Sequence, residues 1–147
     1  MKTMFSFWAI LVLCIGLLSC NSGASNISSI EEAKNYISGK TFTATPSGEM
    51  WYKVSFSNSG TFTLWSSTPQ SGSWGSPTLS GRYTVNQNRY SDTGERYFYA
   101  TLDKEHDGFV ASLHCMQFII NDLSLVNCSA YNMNDRTKVK EGDRNPW

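Results

Sequence analysis

The hydrophobic and polar positions of this chain follow two periods, one helical and one extended. Apolar residues recur at helical spacing near the start of the first regular segment: Ile30, Ala33 and Ile37. Ser29 followed by Glu32 has the spacing of a capping box, and Gly39 stands where a helix would end. The pattern predicts one short helix here, and the period of two that follows Gly39 predicts strands.

Seven segments beyond the helix have strand-like composition and alternation, and turn-forming residues separate them. The predicted strands are 40–44, 51–56, 61–65, 81–86, 95–102, 109–120 and 123–130. Many short strands joined in sequence avoid long free edges when the sheet closes on itself. We therefore predict a mainly β domain, a single antiparallel up-and-down β-barrel of seven or eight strands with one N-terminal helix. A two-sheet β-sandwich is the alternative.

Two hairpins can be placed in register from the sequence. Around the turn at 58–60, Phe56 would face Phe62 and Val54 would face Leu64, which puts the apolar side chains on one face. The agreement between register and hydrophobic face predicts that this hairpin forms.

The second hairpin turns either at Asn121-Asp122 or through a four-residue loop that keeps the same register. In that register Cys115 faces Cys128. The polar segment 132–147 follows, and it is predicted to be either a tail or a short edge strand around 137–140.

The N-terminus carries a targeting pattern. Lys2 precedes an apolar run at 5–18, which is too short to span a bilayer as a helix and is typical of a cleaved secretory signal. Leu17-Leu18-Ser19-Cys20 resembles the lipobox of bacterial lipoproteins. The resemblance implies cleavage before Cys20 and acylation of its thiol and new amine. In lipoproteins of enterobacteria-like organisms, an aspartate directly after the cysteine favours retention in the inner membrane. Asn21 stands at that position here, so the resemblance implies the outer membrane, on either its periplasmic or its surface side.

Cysteine usage and charge narrow the picture further. The chain has four cysteines, of which Cys14 would leave with the signal peptide and Cys20 would carry lipid. Cys115 and Cys128 then remain in an oxidising compartment, so a disulfide between them is predicted, with two buried free thiols as the alternative.

The chain has 12 basic residues (Lys plus Arg) and 12 acidic residues (Asp plus Glu), and this balance gives no basic surface for nucleic acid.

These features divide the chain into four predicted parts: the signal peptide 1–19, the lipidated cysteine and polar tether 20–27, the barrel domain 28–131, and the tail or edge strand 132–147.

Three motifs resemble those of small lipocalin-like lipoproteins of bacteria: Gly39-Lys40-Thr41-Phe42, Gly72-Ser73-Trp74 and Gly81-Arg82-Tyr83-Thr84-Val85. The resemblance implies a β-barrel that binds a ligand.

Tryptophans are the strongest candidates for binding residues. Trp51, Trp65 and Trp74 would offer flat, amphipathic surfaces to a glycan, an apolar molecule or a protein. The alternative interpretation is that they cover the barrel wall or pack under the helix.

Catalytic and metal chemistry has little support in the sequence. Segment 103–107 has carboxylates beside His106, but a solvated hairpin tip is the favoured interpretation, and His114 is expected to be structural. Nucleophilic catalysis needs a base beside its nucleophile, and no Gly-x-Ser-x-Gly occurs. We expect no enzyme activity, no metal and no cofactor.

Residues 91–97 carry a different signal. The sequence Ser91-Asp92-Thr93-Gly94-Glu95-Arg96-Tyr97 is similar to the Ser-x-Ser-Gly-x-Arg-Tyr loop of membrane-bound inhibitors of C-type lysozyme. The resemblance implies that Ser91, Thr93 and Arg96 would enter a lysozyme cleft.

Together these observations predict a lipid-anchored, non-catalytic binding protein of the bacterial cell envelope, whose ligand is a small apolar molecule, a glycan or a protein. An inhibitor of lysozyme-like hydrolases is the alternative function, and a structural or assembly lipoprotein is the second alternative.

Overall fold

The computed structural model of the chain describes residues 26–45, 50–104, 116–127 and 136–147. Within these residues one helix, α1 (Ile30–Ile37), precedes nine strands. The strands are β1 (Thr41–Ala44), β2 (Trp51–Phe56), β3 (Thr61–Ser67), β4 (Leu79–Arg89), β5 (Arg96–Lys104), β6 (Met116–Ile119), β7 (Ser124–Asn127), β8 (Arg136–Lys138) and β9 (Lys140–Glu141).

Helix α1 begins at the predicted cap. The Glu32 backbone N–H donates to Ser29 Oγ at 3.1 Å, while Glu32 Oε2 accepts from the backbone N–H and the hydroxyl of Ser28, each at 2.8 Å. The two hydrogen bonds from Ser28, with the one from its backbone N–H the larger cause, hold the pKa of the Glu32 carboxyl below its usual value. Ala33 and Ile37 are buried against the barrel, but Ile30 is exposed, so the buried face is shorter than the sequence pattern.

All nine strands form one antiparallel sheet in the order β8-β7-β6-β5-β4-β3-β2-β1-β9. The two edges of this sheet, β8 and β9, are consecutive in the chain, and only Val139 separates them. The chain therefore passes from one edge to the other, and the sheet is a nearly closed barrel, which confirms the predicted fold. The count is nine because the last strand segment divides at Val139, whose N–H donates to Leu123 O at 2.8 Å.

The first predicted hairpin forms in the expected register. Phe56 pairs with Phe62 and Val54 pairs with Leu64 across β2 and β3. Gly60 closes the turn at φ 84°, a left-handed conformation that glycine adopts without the usual steric cost. The prediction is confirmed because one register satisfied both the turn and the apolar face.

The last hairpin also has the predicted register, with Phe118 opposite Leu125 and Met116 opposite Asn127. Of the two turns considered, the four-residue loop 120–123 is the one observed. Cys115 and Cys128 each lie one position beyond the last described pair, so the predicted disulfide lies outside the described residues, as does the part of segment 109–120 before Met116.

The barrel interior is packed in the described part of the chain. Phe118 lies between Phe42 and Phe56, with ring centroids 4.7 Å and 5.2 Å away. These side chains are almost completely buried, and Ala33 and Ile37 of α1 belong to the same apolar cluster. The inward side chains thus contact one another across the barrel and are joined by the helix.

The segment predicted as a tail or an edge strand contributes β8 and β9. It then runs along the outer face of β1 and β2 from residue 142 onward. Thr43 Oγ1 donates to Gly142 O at 2.7 Å, and the Arg144 backbone N–H donates to Thr43 Oγ1 at 3.3 Å. Because of these bonds, residues 142–147 cover part of the barrel wall.

Candidate ligand-binding surface

The three candidate tryptophans lie together on the outside of the barrel. Trp51 alternates with the inward-facing Val54 and Phe56 on β2, and Trp65 comes from the neighbouring β3. Two further side chains complete the group, which we call the tryptophan patch: Trp51, Lys53, Trp65, Trp74 and Trp147. The chain has five tryptophans, and the one outside this patch, Trp8, lies in the predicted signal peptide.

Trp147 and Lys53 hold the patch together. The Trp147 ring centroid lies 5.2 Å from that of Trp51 and 5.3 Å from that of Trp74. Lys53 Nζ lies 4.5 Å from the ring centroid of Trp65 and 5.3 Å from that of Trp74, which are cation–π distances. The same Nζ pairs with Asp143 at 3.4 Å.

The loop between β3 and β4 carries Trp74 into the patch. Ser67 Oγ donates to Ser73 O at 2.8 Å, and the Ser71 N–H donates to Thr68 O at 3.1 Å. These bonds fold a loop rich in glycine, proline and serine into a defined turn. The loop also accepts a hydrogen bond from Trp147 Nε1 at Pro69 O, 3.2 Å away, so it is tied to the C-terminal segment.

One polar atom of the patch stands out. The Nε1–H of Trp74 is buried and has no hydrogen-bond partner among the described residues. An unpaired buried donor costs about 1–3 kcal/mol, and such groups are few in native proteins.

Sequence reasoning identified three members of the patch and missed two. Lys53 could have been found, since it shares the outer face of β2 with Trp51 and pairs with Trp65. Trp147 had no local signal, because its position depends on the pairing of β9 with β1, which joins residues about a hundred positions apart.

A second outer-face cluster lies on β5 to β8. Tyr97 stacks on Tyr90 with centroids 4.4 Å apart, and the Arg136 guanidinium lies 5.2 Å from the Tyr90 ring and donates to Asp122 at 2.6 Å. Burial raises the pKa of Tyr97. Burial alone would lower the pKa of Arg136, but its bonds to Tyr90 and Asp122 raise it. Because these side chains pack on one another, we interpret this cluster as structural.

The loop predicted for lysozyme inhibition is the exposed tip of the β4–β5 hairpin. Ser91 and Thr93 are exposed, and the tip is closed by hydrogen bonds from Tyr90 N–H to Glu95 O and from Gly94 N–H to Tyr90 O. Arg96 is also exposed, and its Nη1 donates to Ser28 O at 3.4 Å. The loop is therefore separate from the tryptophan patch and contacts the start of α1.

Several predicted residues lie outside the described part of the chain: Cys20, Cys115, Cys128, His106 and His114. Within the described residues no group of three or more His, Cys, Asp or Glu side chains is arranged to hold a metal ion. In the same ranges no helix has the length and apolar character needed to cross a membrane.

The chain matches no protein-family model, no curated protein and no solved structure. The function is therefore best sought in the chemistry of the tryptophan patch.

Proposed function

We propose that this protein is a lipid-anchored, non-catalytic binding protein of the bacterial cell envelope, and that the tryptophan patch binds a glycan. The observation that carries the proposal is the convergence of four tryptophans, from β2, β3, a loop and the C-terminal segment, around Lys53.

The chemistry of the patch suits a sugar ring. A pyranose presents a face of C–H groups and a rim of hydroxyls, and the tryptophan rings offer flat apolar faces with polar N–H edges. Lys53 and Asp143 add a charged donor and acceptor beside those rings. The side chains of Trp51, Trp65 and Trp74 are partly exposed, so a ligand has access without unfolding the barrel.

The packing of the barrel favours an outer site over an inner one. A small apolar ligand would need a hollow interior, whereas the described interior is filled by contacting rings such as Phe42 and Phe118. The patch, in contrast, lies outside the barrel and combines apolar faces with charge. Among the ligands considered, a glycan fits this combination best.

Trp51→Ala is expected to weaken glycan binding at least about fivefold, because removing one aromatic anchor from a binding surface costs more than about 1 kcal/mol. The measurement is a titration of the mature chain with maltotriose, cellotriose and chitotriose, followed by intrinsic tryptophan fluorescence. The four tryptophans left after signal cleavage all lie in the patch, so the emission reports on this surface.

Tyr99→Ala is the matched control, because it removes a partly buried outer-face aromatic from the second cluster. This variant should bind as the parent does. If no oligosaccharide changes the emission at millimolar concentration, or if both variants lose binding equally, the glycan proposal is wrong.

The membrane anchor is a separate expectation. Two or three acyl chains on Cys20 would hold the domain on the membrane, since each buried methylene contributes about 0.8 kcal/mol. Cys20→Ser should therefore abolish acylation, so the variant chain should lack the added mass of the acyl groups. Mass spectrometry of the parent should find an acylated Cys20 at the mature N-terminus, and an unmodified thiol there would contradict the anchor.

A further inference from the structure

A second site is found where the barrel closes. A cavity of about 310 Å³ opens between β1 and the strand segment that contains β8 and β9. We call it the seam pocket and define it by six of its lining residues: Thr43, Thr45, Arg136, Lys138, Lys140 and Arg144.

The pocket follows from the way the last strand divides. β8 pairs with β7, and β9 pairs with β1, so in the described part of the sheet no ladder joins β8 to β1. At Val139 the chain passes from its pairing with β7 to its pairing with β1, which leaves a wedge between β8 and β1. A barrel closed by one continuous ladder would have no such opening.

Four cationic side chains line this wedge, and in the described part of the chain no carboxylate is among its lining residues. Arg136 and Lys138 share Asp122, at 2.6 Å and 3.3 Å. Lys140 and Arg144 make no ion pair with any carboxylate among the described residues.

The acidic residues next to Lys140 and Arg144 in the sequence have other partners. Glu141 pairs with Lys40 at 3.0 Å, and Asp143 pairs with Lys53 at 3.4 Å. Among the described residues, the cationic side chains of the pocket therefore outnumber the carboxylates paired with them. Such an excess at a concave site attracts an anion.

The polar groups and the volume of the seam pocket indicate which kind of anion it can bind. The Thr45 hydroxyl lies on the β1 side of the pocket, opposite the basic side chains of the strand segment, whereas the Thr43 hydroxyl is already bonded to Gly142 O and the Arg144 N–H. Hydroxyls with Arg and Lys are the groups that bind phosphate oxygens, and the volume is at the low end for small-molecule sites.

The seam pocket and the tryptophan patch share the outer face and adjoin one another. Lys53 pairs with Thr43, and Thr43 pairs with Lys140, so the two lysines lie two strands apart, about 10 Å. Residues 142–147 run from one site to the other. A ligand about 10 Å long that lies over these residues would contact both sites.

We propose that the seam pocket binds the phosphate group of a phosphorylated sugar whose ring lies on the tryptophan patch. The sugar part rests on the proposed function, whereas the phosphate part rests on the pocket alone.

The test is calorimetric titration of the mature chain, in a phosphate-free buffer of low ionic strength, with inorganic phosphate, glycerol 3-phosphate, glucose 6-phosphate and glucose. Lys140→Gln with Arg144→Gln should reduce affinity for all three phosphates at least about tenfold. The control, Lys34→Gln with Arg82→Gln, removes the same charge from exposed positions outside the pocket and should change affinity less than about twofold. Trp51→Ala should weaken glucose 6-phosphate but not inorganic phosphate.

The arms separate the possible failures. No binding of any phosphate, or an equal loss in both double variants, overturns the seam pocket, while binding of neutral oligosaccharides would still support the proposed function. Glycerol 3-phosphate binding as tightly as glucose 6-phosphate, with no effect of Trp51→Ala, overturns the sugar and indicates a lipid headgroup or free phosphate instead. If oligosaccharides do not bind but the phosphates do, the proposed function is contradicted and the seam pocket is not.

Discussion

Replacing Phe118 with alanine should lower the free energy of unfolding by about 3–5 kcal/mol, the usual cost of removing a buried phenylalanine. Phe118 has no exposed surface, and its ring contacts those of Phe42 and Phe56. These neighbours sit on β1 and β2, whose ladders hold them in place, so the cavity would close only in part. The loss should be visible as a lower midpoint in urea unfolding followed by circular dichroism.

Gln117→Ala is the matched control, because Gln117 is the adjacent residue of β6 and is partly exposed on the other face. It should change the unfolding free energy by less than about 0.5 kcal/mol. Equal effects of the two substitutions would mean that Phe118 is not a central core residue. If Phe118→Ala fails to fold, Phe118→Leu should still be measurably destabilised relative to Gln117→Ala.

Reduction of a disulfide between Cys115 and Cys128 should lower the unfolding free energy by about 3 kcal/mol in the chain-entropy model. The described pairs of β6 and β7, ending with Met116 opposite Asn127, support the predicted register up to the position next to these cysteines. Continued by one pair, that register would set them opposite each other. The measurement compares urea unfolding of the mature chain with and without dithiothreitol.

The double variant Cys115→Ser with Cys128→Ser supplies the control, since its stability should be the same with and without reductant. Thiol alkylation under denaturing but non-reducing conditions tests the bond itself. Alkylation of both Cys115 and Cys128 in the freshly purified chain would contradict the disulfide.

The hairpins were the most predictable part of this fold. In β2 and β3 the apolar residues Val54, Phe56, Phe62 and Leu64 fix the face, and the Gly60 turn fixes the length, so the two constraints agree on one register. The last hairpin was equally determined in register but not in turn. Asn121-Asp122 is compatible with two loop lengths, and the observed loop includes Leu123 at φ 48°, a conformation that a leucine does not signal.

The candidate sites were only partly predictable. The sequence singled out Trp51, Trp65 and Trp74 because large aromatics outside the apolar phase of their strands need an explanation. It did not indicate that Trp147 would join them or that Arg144 and Lys140 would line a pocket with β1. These contacts depend on how the final segment crosses from one edge of the sheet to the other.

By itself the sequence determined the elements, the inward faces and the local registers, because alternation and turn residues act over a few neighbouring positions. Only the tertiary structure decided which strands close the predicted barrel, the division of the last strand at Val139, and the two outer sites. The physical reason is that the pairing of β9 with β1 is a non-local contact. Its partners are far apart in the chain, and no local pattern specifies which edge the last strand will meet.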